Sequence, residues 1–173
     1  MIITLCGSAR FEKWFHAWNR ALSLAGHGVF GMSSYPSQNR GNKDWYTPEQ
    51  KELLDKVHLK KIDASDAIVV LNVFAYLGDS TLREIEYAFN NKKEVYFLES
   101  WGEGLGIGIH HYQSVQDAAE SYGIPKGYGS PISTVTNEYP LYRNRCIWNL
   151  LGEAGKNRSS IVDFLNKELQ YEM

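Results

Sequence analysis

The sequence has few of the residues that mark specialised protein classes. Its only two cysteines, Cys6 and Cys146, exclude a disulfide framework of the secreted type, so a reducing cytoplasm is the expected location. Its 18 basic and 20 acidic side chains give a net charge of −2, which leaves no positive field for a nucleic acid polymer. The longest apolar runs, such as residues 67–71, are far shorter than the roughly 20 residues of a membrane span, so no membrane association is expected.

The remaining composition is that of an ordinary globular protein. Hydrophobic residues make up 43% of the 173 residues and charged residues 22%. This length favours one domain, and a domain of this size buries roughly 70% of the surface of its unfolded chain. We therefore expect a single domain over residues 1–173, with a core at 1–100 and a C-terminal helical extension of the same domain at 101–173.

The first hundred residues alternate between strand and helix patterns. Strands are predicted at 2–6, 29–32, 67–73 and 94–98, and helices at 11–25, 47–63 and 80–91. Strands that are continuous apolar runs between helices predict an α/β fold: a Rossmann/flavodoxin-like domain with an open parallel sheet of four or five strands and helices on both faces. Ligands of such sheets bind outside the carboxyl ends of the strands, so three junctions matter most: 6–10, 32–47 and 73–84.

The first junction carries residue types that suit an anion. Gly7 allows close approach of the backbone, Ser8 adds a hydroxyl and Arg10 adds a guanidinium beside a helix N-terminus. The functional interpretation is a phosphate or carboxylate pocket, and the alternative is a tight turn with Ser8 as N-cap and Arg10 in solvent. Phe11 is expected in the core, although its position beside the pocket would also let it stack on a base.

The third junction combines carboxylates, hydroxyls and a glycine. Gly78, Asp79 and Ser80 open a helix that carries Glu84 one turn further on. We expect the helix N-terminus to keep Glu84 ionised, which suits a nucleophile. The alternative is structural, because Thr81 and Glu84 have the spacing of a capping box.

Two further candidates lie on the second helix. His58 lies one to two turns before the helix end and is expected near the ligand-binding edge of the sheet. Asp63 flanks the entrance of the third strand and could bind substrate or merely cap the helix. A lone histidine on a helix is more often structural than catalytic, so neither residue is assigned by position alone.

Three segments together resemble a known superfamily. Residues 5–11 (L-C-G-S-A-R-F), 58–72 and 78–88 (G-D-S-T-L-R-E-I-E-Y-A) are similar to the nucleoside 2-deoxyribosyltransferase-like superfamily. The similarity is greatest to its nucleotide N-glycosidase branch, which includes CMP and hydroxymethyl-CMP hydrolases and 2′-deoxynucleoside 5′-phosphate N-hydrolases. It covers roughly residues 2–98, and the two motifs C-G-S-x-R and G-[DE]-S-T-x-x-E-I are more specific together than apart.

The resemblance implies roles for the acidic residues and the histidine. Glu84 falls on the glutamate that attacks the anomeric carbon in this family. His58 stands where many members carry an aspartate that assists at the sugar or base. Because the departing base must be protonated, His58, Asp79 and Asp63 are all candidates for the proton donor.

The resemblance also implies how substrate is held. Gly7, Ser8 and Arg10 fall on the loop that binds the 5′-phosphate, and Gly78 and Ser80 fall on the loop at the phosphate and sugar. Members of the family typically form homodimers in which the neighbouring subunit completes each site. A small-molecule nucleotide and a second copy of the chain are therefore the expected partners.

The expected activity is hydrolysis of the N-glycosidic bond of a nucleoside 5′-monophosphate, with no cofactor and no metal. The adjacent His110 and His111 have no partner at metal-ligand spacing. Three alternatives stay open: a transferase that exchanges bases, a non-catalytic nucleotide sensor, and a phosphoribohydrolase of the cytokinin type, which the single Gly78 and the C-G-S-x-R loop disfavour. The sequence does not identify the base or the sugar.

Overall fold

A computed structural model describes residues 1–35, 46–73, 76–98 and 147–152. Strands and helices alternate along it, as the hydrophobic periodicity predicts. In chain order the elements are β1 (Ile2–Gly7), a 3-10 helix (Ala9–Phe11), α1 (Glu12–Leu24), β2 (Gly28–Phe30), α2 (Pro48–Asp63), β3 (Ala67–Leu71), α3 (Asp79–Asn90), β4 (Glu94–Phe97) and a second 3-10 helix (Ile147–Leu151).

The four strands form one parallel sheet in the order β2-β1-β3-β4. This is an α/β fold of the Rossmann/flavodoxin-like kind, which confirms the predicted fold class. The chain winds from β1 outward to β2 and then back past β1 to β3, so the winding direction reverses between β1 and β3. Ligand crevices of open parallel sheets lie at such a reversal, outside the carboxyl ends of the strands.

Helices cover both faces of the sheet. Side chains alternate between faces along a strand, so Ile3 and Leu5 of β1 point to one side and Thr4 and Cys6 to the other. The first side, here called the α1 face, packs against α1 and the 3-10 helix Ile147–Leu151. The second side, here called the α2/α3 face, packs against α2 and α3.

Side-chain hydrogen bonds define both ends of α2. Thr47 is the N-cap as predicted: its hydroxyl accepts from the Gln50 N–H, and the Gln50 side chain accepts from the Thr47 N–H. Beyond the other end, the Ser65 hydroxyl donates to the Lys61 carbonyl and lies 2.7 Å from the Thr4 hydroxyl of β1. The capping box fixes where α2 begins, and the Ser65–Thr4 contact ties its C-terminal end to β1, which sets the height of the helix against the sheet.

Only a small part of the C-terminal third is described. Ile147, Leu150 and Leu151 are buried in the α1 face. The rest of the predicted helical extension lies outside the described residues, and the domain boundary at 173 stays a prediction. Within the described ranges, no helix has both the length and the hydropathy that a bilayer crossing requires.

Candidate active site

A cleft of about 420 Å³ opens at the carboxyl edge of the sheet. Its walls come from residues 7–9 at the end of β1, residues 32–34 after β2, residues 51–58 of α2, and residues 76–84 around the start of α3. All three predicted junctions therefore contribute to one cleft. Its location is the winding reversal between β1 and β3.

Gly7 forms the tip of β1 where the cleft begins. Its φ of 152° lies in a region that L side chains rarely adopt, and an added Cβ would lie 3.1 Å from the Leu71 carbonyl oxygen of β3. The ends of β1 and β3 can approach this closely only because residue 7 has no side chain.

Glu84 and His58 meet inside the cleft. Glu84 Oε1 lies 3.7 Å from His58 Nε2, and the two side chains are only 14% and 9% exposed. The N-cap of α3 is Gly78, so the alternative that Thr81 and Glu84 form a capping box is wrong. Glu84 instead points from α3 toward α2, and its buried Oε2 has no hydrogen-bond partner among the described residues.

Burial sets the protonation of this pair. Burial is the largest effect on Glu84 and raises its pKa to about 8. A hydrogen bond with the Cys6 thiol lowers this pKa, and the negative charge of Asp55 raises it. Burial also lowers the pKa of His58 to about 4. The expectation that the helix N-terminus keeps Glu84 ionised is therefore wrong for the empty protein, because desolvation is the larger effect. Near neutral pH, Glu84 is mostly protonated and His58 is neutral.

Cys6 lies behind the cleft wall, next to His58 and Glu84. It is fully buried on the α2/α3 face, and its Sγ lies 3.6 Å from His58 Nε2. Burial and the nearby Glu84 raise the pKa of the thiol well above its ordinary value. The sequence analysis did not group Cys6 with Glu84 and His58. Strand alternation, which puts Thr4 and Cys6 on the side of α2 and α3, was the available signal.

Most of the predicted substrate-binding residues line the cleft. Gly7, Ser8, Gly78 and Ser80 do so, and Asp79, a candidate proton donor, is exposed at the rim. Ser8 also caps the 3-10 helix, because its hydroxyl accepts from the Arg10 N–H. The predicted N-cap role of Ser8 is thus confirmed, and its role in binding an anion stays a prediction.

Arg10, Phe11 and Asp63 lie beside the cleft or away from it. The Arg10 guanidinium lies 5.2 Å from the ring centroid of Tyr76, and that ring lines the cleft. Phe11 is fully buried and contacts Tyr76 edge-on, so it is a core residue and does not offer a face to a base. Asp63 accepts a hydrogen bond of 2.8 Å from the Tyr87 hydroxyl and is not part of the cleft wall.

The cleft also contains aromatic and apolar residues that sequence reasoning did not select. They are Met32, Tyr46, Leu54 and Tyr76. On α2, Lys51 and Asp55 form an ion pair of 2.9 Å and line the cleft together with His58. Positions 51, 54, 55 and 58 share one helix surface, and this spacing could have identified them.

No family model matches the chain, and no curated protein matches it.

Proposed function

We propose that the protein hydrolyses the N-glycosidic bond of a nucleoside 5′-monophosphate, with Glu84 as the nucleophile. The observation that carries this proposal is the pairing of a buried carboxyl group with an imidazole, 3.7 Å apart, inside an open cleft. The same cleft reaches the N-terminus of α3 and has aromatic walls. A nucleotide needs these features: an anion site, a carboxylate at the sugar and an apolar surface for the base.

Glu84 suits attack at C1′. Cleavage of a C–N glycosidic bond develops positive charge on the sugar, and a carboxylate beneath the ring stabilises that charge and then bonds to C1′. The bonding electrons leave with the base nitrogen. Water then attacks C1′ of the glycosyl ester, which releases the sugar phosphate and restores Glu84. Because Glu84 is mostly protonated in the empty protein, it must lose its proton as the reaction proceeds.

His58 can take that proton and deliver it. Its Nε2 faces Glu84 Oε1, so transfer across this pair creates a carboxylate and an imidazolium together. Positive charge developing at C1′ favours the carboxylate, and the imidazolium then protonates the departing base. In the second step neutral His58 accepts a proton from the attacking water. Asp63 is outside the cleft and Asp79 is exposed at its rim, so His58 is the better placed donor.

The N-terminus of α3 suits the 5′-phosphate. No side chain of the described residues caps this helix, so its first N–H groups are available to an anion. At the β1–α1 junction, by contrast, the Arg10 N–H already donates a hydrogen bond to the Ser8 hydroxyl, so this N–H is less available to an anion. Glu84 follows Asp79 by five residues, about 7.5 Å along the helix axis, which is comparable to the length of a sugar phosphate.

The test is release of free base from a panel of nucleoside monophosphates. The purified protein is incubated with the common ribose and 2′-deoxyribose 5′-monophosphates and with hydroxymethyl-dCMP, and the products are separated by chromatography. We expect free base and a sugar phosphate from at least one of them, and none from the Glu84→Gln protein. Absence of base release from every substrate, with a folded protein, would refute the proposal. Added acceptor base distinguishes transfer from hydrolysis.

The proposal includes a homodimer, because the resembling enzymes complete each site with a neighbouring subunit. One chain has a mass of 19.7 kDa, and light scattering should report twice that value. A monomer with full activity would contradict this part of the proposal only. The cytoplasmic location likewise stays a prediction from the cysteine content.

A further inference from the structure

Cys6, His58 and Glu84 come from three different elements and meet at one point. The thiol, the imidazole nitrogen and a carboxylate oxygen all lie within 4.8 Å of one another. Strand alternation turns Cys6 of β1 toward α2, the fixed height of α2 places His58 opposite it, and α3 supplies Glu84 from the third side. These three atom types are the ones that bind zinc in proteins.

The distances within this cluster fit a tetrahedral metal. A Zn²⁺ ion with bonds of about 2.3 Å to sulfur and about 2.0 Å to nitrogen holds those two ligand atoms about 3.5 Å apart, and nitrogen and oxygen ligands about 3.4 Å apart. The corresponding distances here are 3.6 Å from Cys6 Sγ to His58 Nε2 and 3.7 Å from that nitrogen to Glu84 Oε1. Two edges of the tetrahedron are thus present within a few tenths of an ångström.

The carboxyl group provides a second and independent indication. Glu84 Oε2 is buried and lacks a hydrogen-bond partner among the described residues. Buried polar atoms are almost always satisfied, because leaving one unpaired is costly. A cation bound by both oxygens of this carboxylate would satisfy Oε2. Three protein ligands also leave a fourth position open, and the cleft gives it access to solvent.

We propose that Cys6, His58 and Glu84 form a Zn²⁺ site, and that zinc bound there inhibits the enzyme. Mixed sulfur, nitrogen and oxygen ligands favour Zn²⁺ over Mg²⁺ or Ca²⁺, which prefer oxygen alone. The ion binds the thiolate and the carboxylate, and their protons pass to solvent. Inhibition rests on the proposed function: zinc occupies the lone pair of His58 Nε2 and the oxygen of Glu84 that glycosidic cleavage needs. Binding of zinc does not rest on it.

Metal binding is tested on the full chain without substrate. The protein is freed of metal with a chelator, the chelator is removed, and Zn²⁺ is titrated by calorimetry. Co²⁺ is added in parallel as a spectroscopic probe. We expect one ion per chain and, with Co²⁺, a thiolate charge-transfer band with the intense visible bands of tetrahedral cobalt. Failure to bind one equivalent, or a cobalt spectrum without the thiolate band, would overturn the proposal.

Matched variants assign the ligands. Cys6→Ser keeps the size of the side chain and should weaken Zn²⁺ binding by about 100-fold or more, while Cys146→Ser and Glu86→Gln should leave it unchanged. Circular dichroism confirms that each variant is folded. Glu84→Gln provides a second ligand variant should Cys6→Ser fail to fold. Zinc affinity that is equal in the ligand variants and the wild type would refute this site.

Activity measurements then separate the two proposals. If monophosphates are cleaved, added Zn²⁺ should stop cleavage with the same midpoint as binding, and a chelator should restore it. Zinc that binds but leaves cleavage unchanged or accelerates it would refute inhibition. Zinc binding in a protein that cleaves no monophosphate would refute the proposed function and leave the metal site standing. Cleavage without zinc binding would refute the metal site alone.

Discussion

The two faces of the sheet differ in what they bury. The α1 face is filled with large aromatic side chains, including Phe15 and Trp18, which are almost completely buried. The α2/α3 face has smaller aliphatic residues, and near the carboxyl edge it buries the cluster of Cys6, His58 and Glu84. Apolar burial stabilises a fold, whereas a buried carboxyl group and imidazole cost free energy. The first face is thus an apolar core, whereas the second also holds the candidate active site.

The substitution Glu84→Gln gives the sharpest test of this difference between the two faces. Loss of the nucleophile should lower the rate of base release by about 10⁴-fold, or about 5 kcal/mol of barrier. The same change should leave the free energy of unfolding unchanged or higher, because a neutral amide replaces a buried ionisable group. Rates come from chromatography and stability from urea denaturation.

The matched control for that change is Glu86→Gln, two residues along the same helix and exposed. It makes the same substitution of an amide for a carboxyl group outside the cleft, and it should affect neither the rate of base release nor the free energy of unfolding. Equal loss of activity in both variants would remove the special role of Glu84.

On the α1 face we expect a substitution to lower stability and to leave activity nearly unchanged. Trp18→Ala removes a fully buried side chain and should lower the free energy of unfolding by about 3–5 kcal/mol. Activity per folded molecule should stay near that of the wild type, measured at a temperature where the variant is still folded. A large fall in that specific activity would show that the two faces are coupled.

The pH dependence of stability should report the buried pair. Glu84 binds its proton more tightly when folded, so its contribution is present below its ordinary pKa of 4.5 and is lost as pH rises through about 8. His58 acts oppositely: its contribution is present above its ordinary pKa of 6.5 and is lost as pH falls through about 4. Between pH 4.5 and 6.5 the two contributions change with pH in opposite directions and cancel, so the free energy of unfolding should stay constant. From pH 6.5 to 8 only Glu84 changes its contribution, and the free energy of unfolding should fall by about 2 kcal/mol.

Urea denaturation at a series of pH values measures this profile. The Glu84→Gln protein should lack the fall between pH 6.5 and 8. It should instead lose stability as pH falls from 6.5 to 4.5, where the wild type is flat, because only His58 then acts. A wild-type profile that stays flat up to pH 8 would contradict the raised pKa of Glu84.

The smallest effect is expected at the start of α3. Ser80→Ala should lower kcat/KM for a monophosphate by about 10-fold, the value of one hydrogen bond to a charged group, and leave cleavage of the corresponding nucleoside unchanged. The ratio of the two substrates is the measurement. An equal decrease for both would show that Ser80 does not contact phosphate.

Local patterns were sufficient to predict the scaffold. Apolar runs at β1 and β3, the helical periodicity of α1 and the cap at Thr47 identify a parallel sheet with helices on both faces. The contents of the cleft depend on quantities that are not local. The meeting of His58 with Glu84 depends on the height and rotation of α2, and the pKa of Glu84 depends on the depth of burial. Phe11 and Asp63 were selected from neighbouring sequence positions, but their side chains turn into the core and toward Tyr87.

Gly7 offers the cleft nothing but main-chain atoms. An inhibitor anchored on those atoms would contact groups that no point mutation can delete. A replacement at position 7 can only add bulk, and that bulk would press on Leu71 and force an unfavourable φ. Escape from such an inhibitor would therefore damage the junction between β1 and β3 that shapes the cleft.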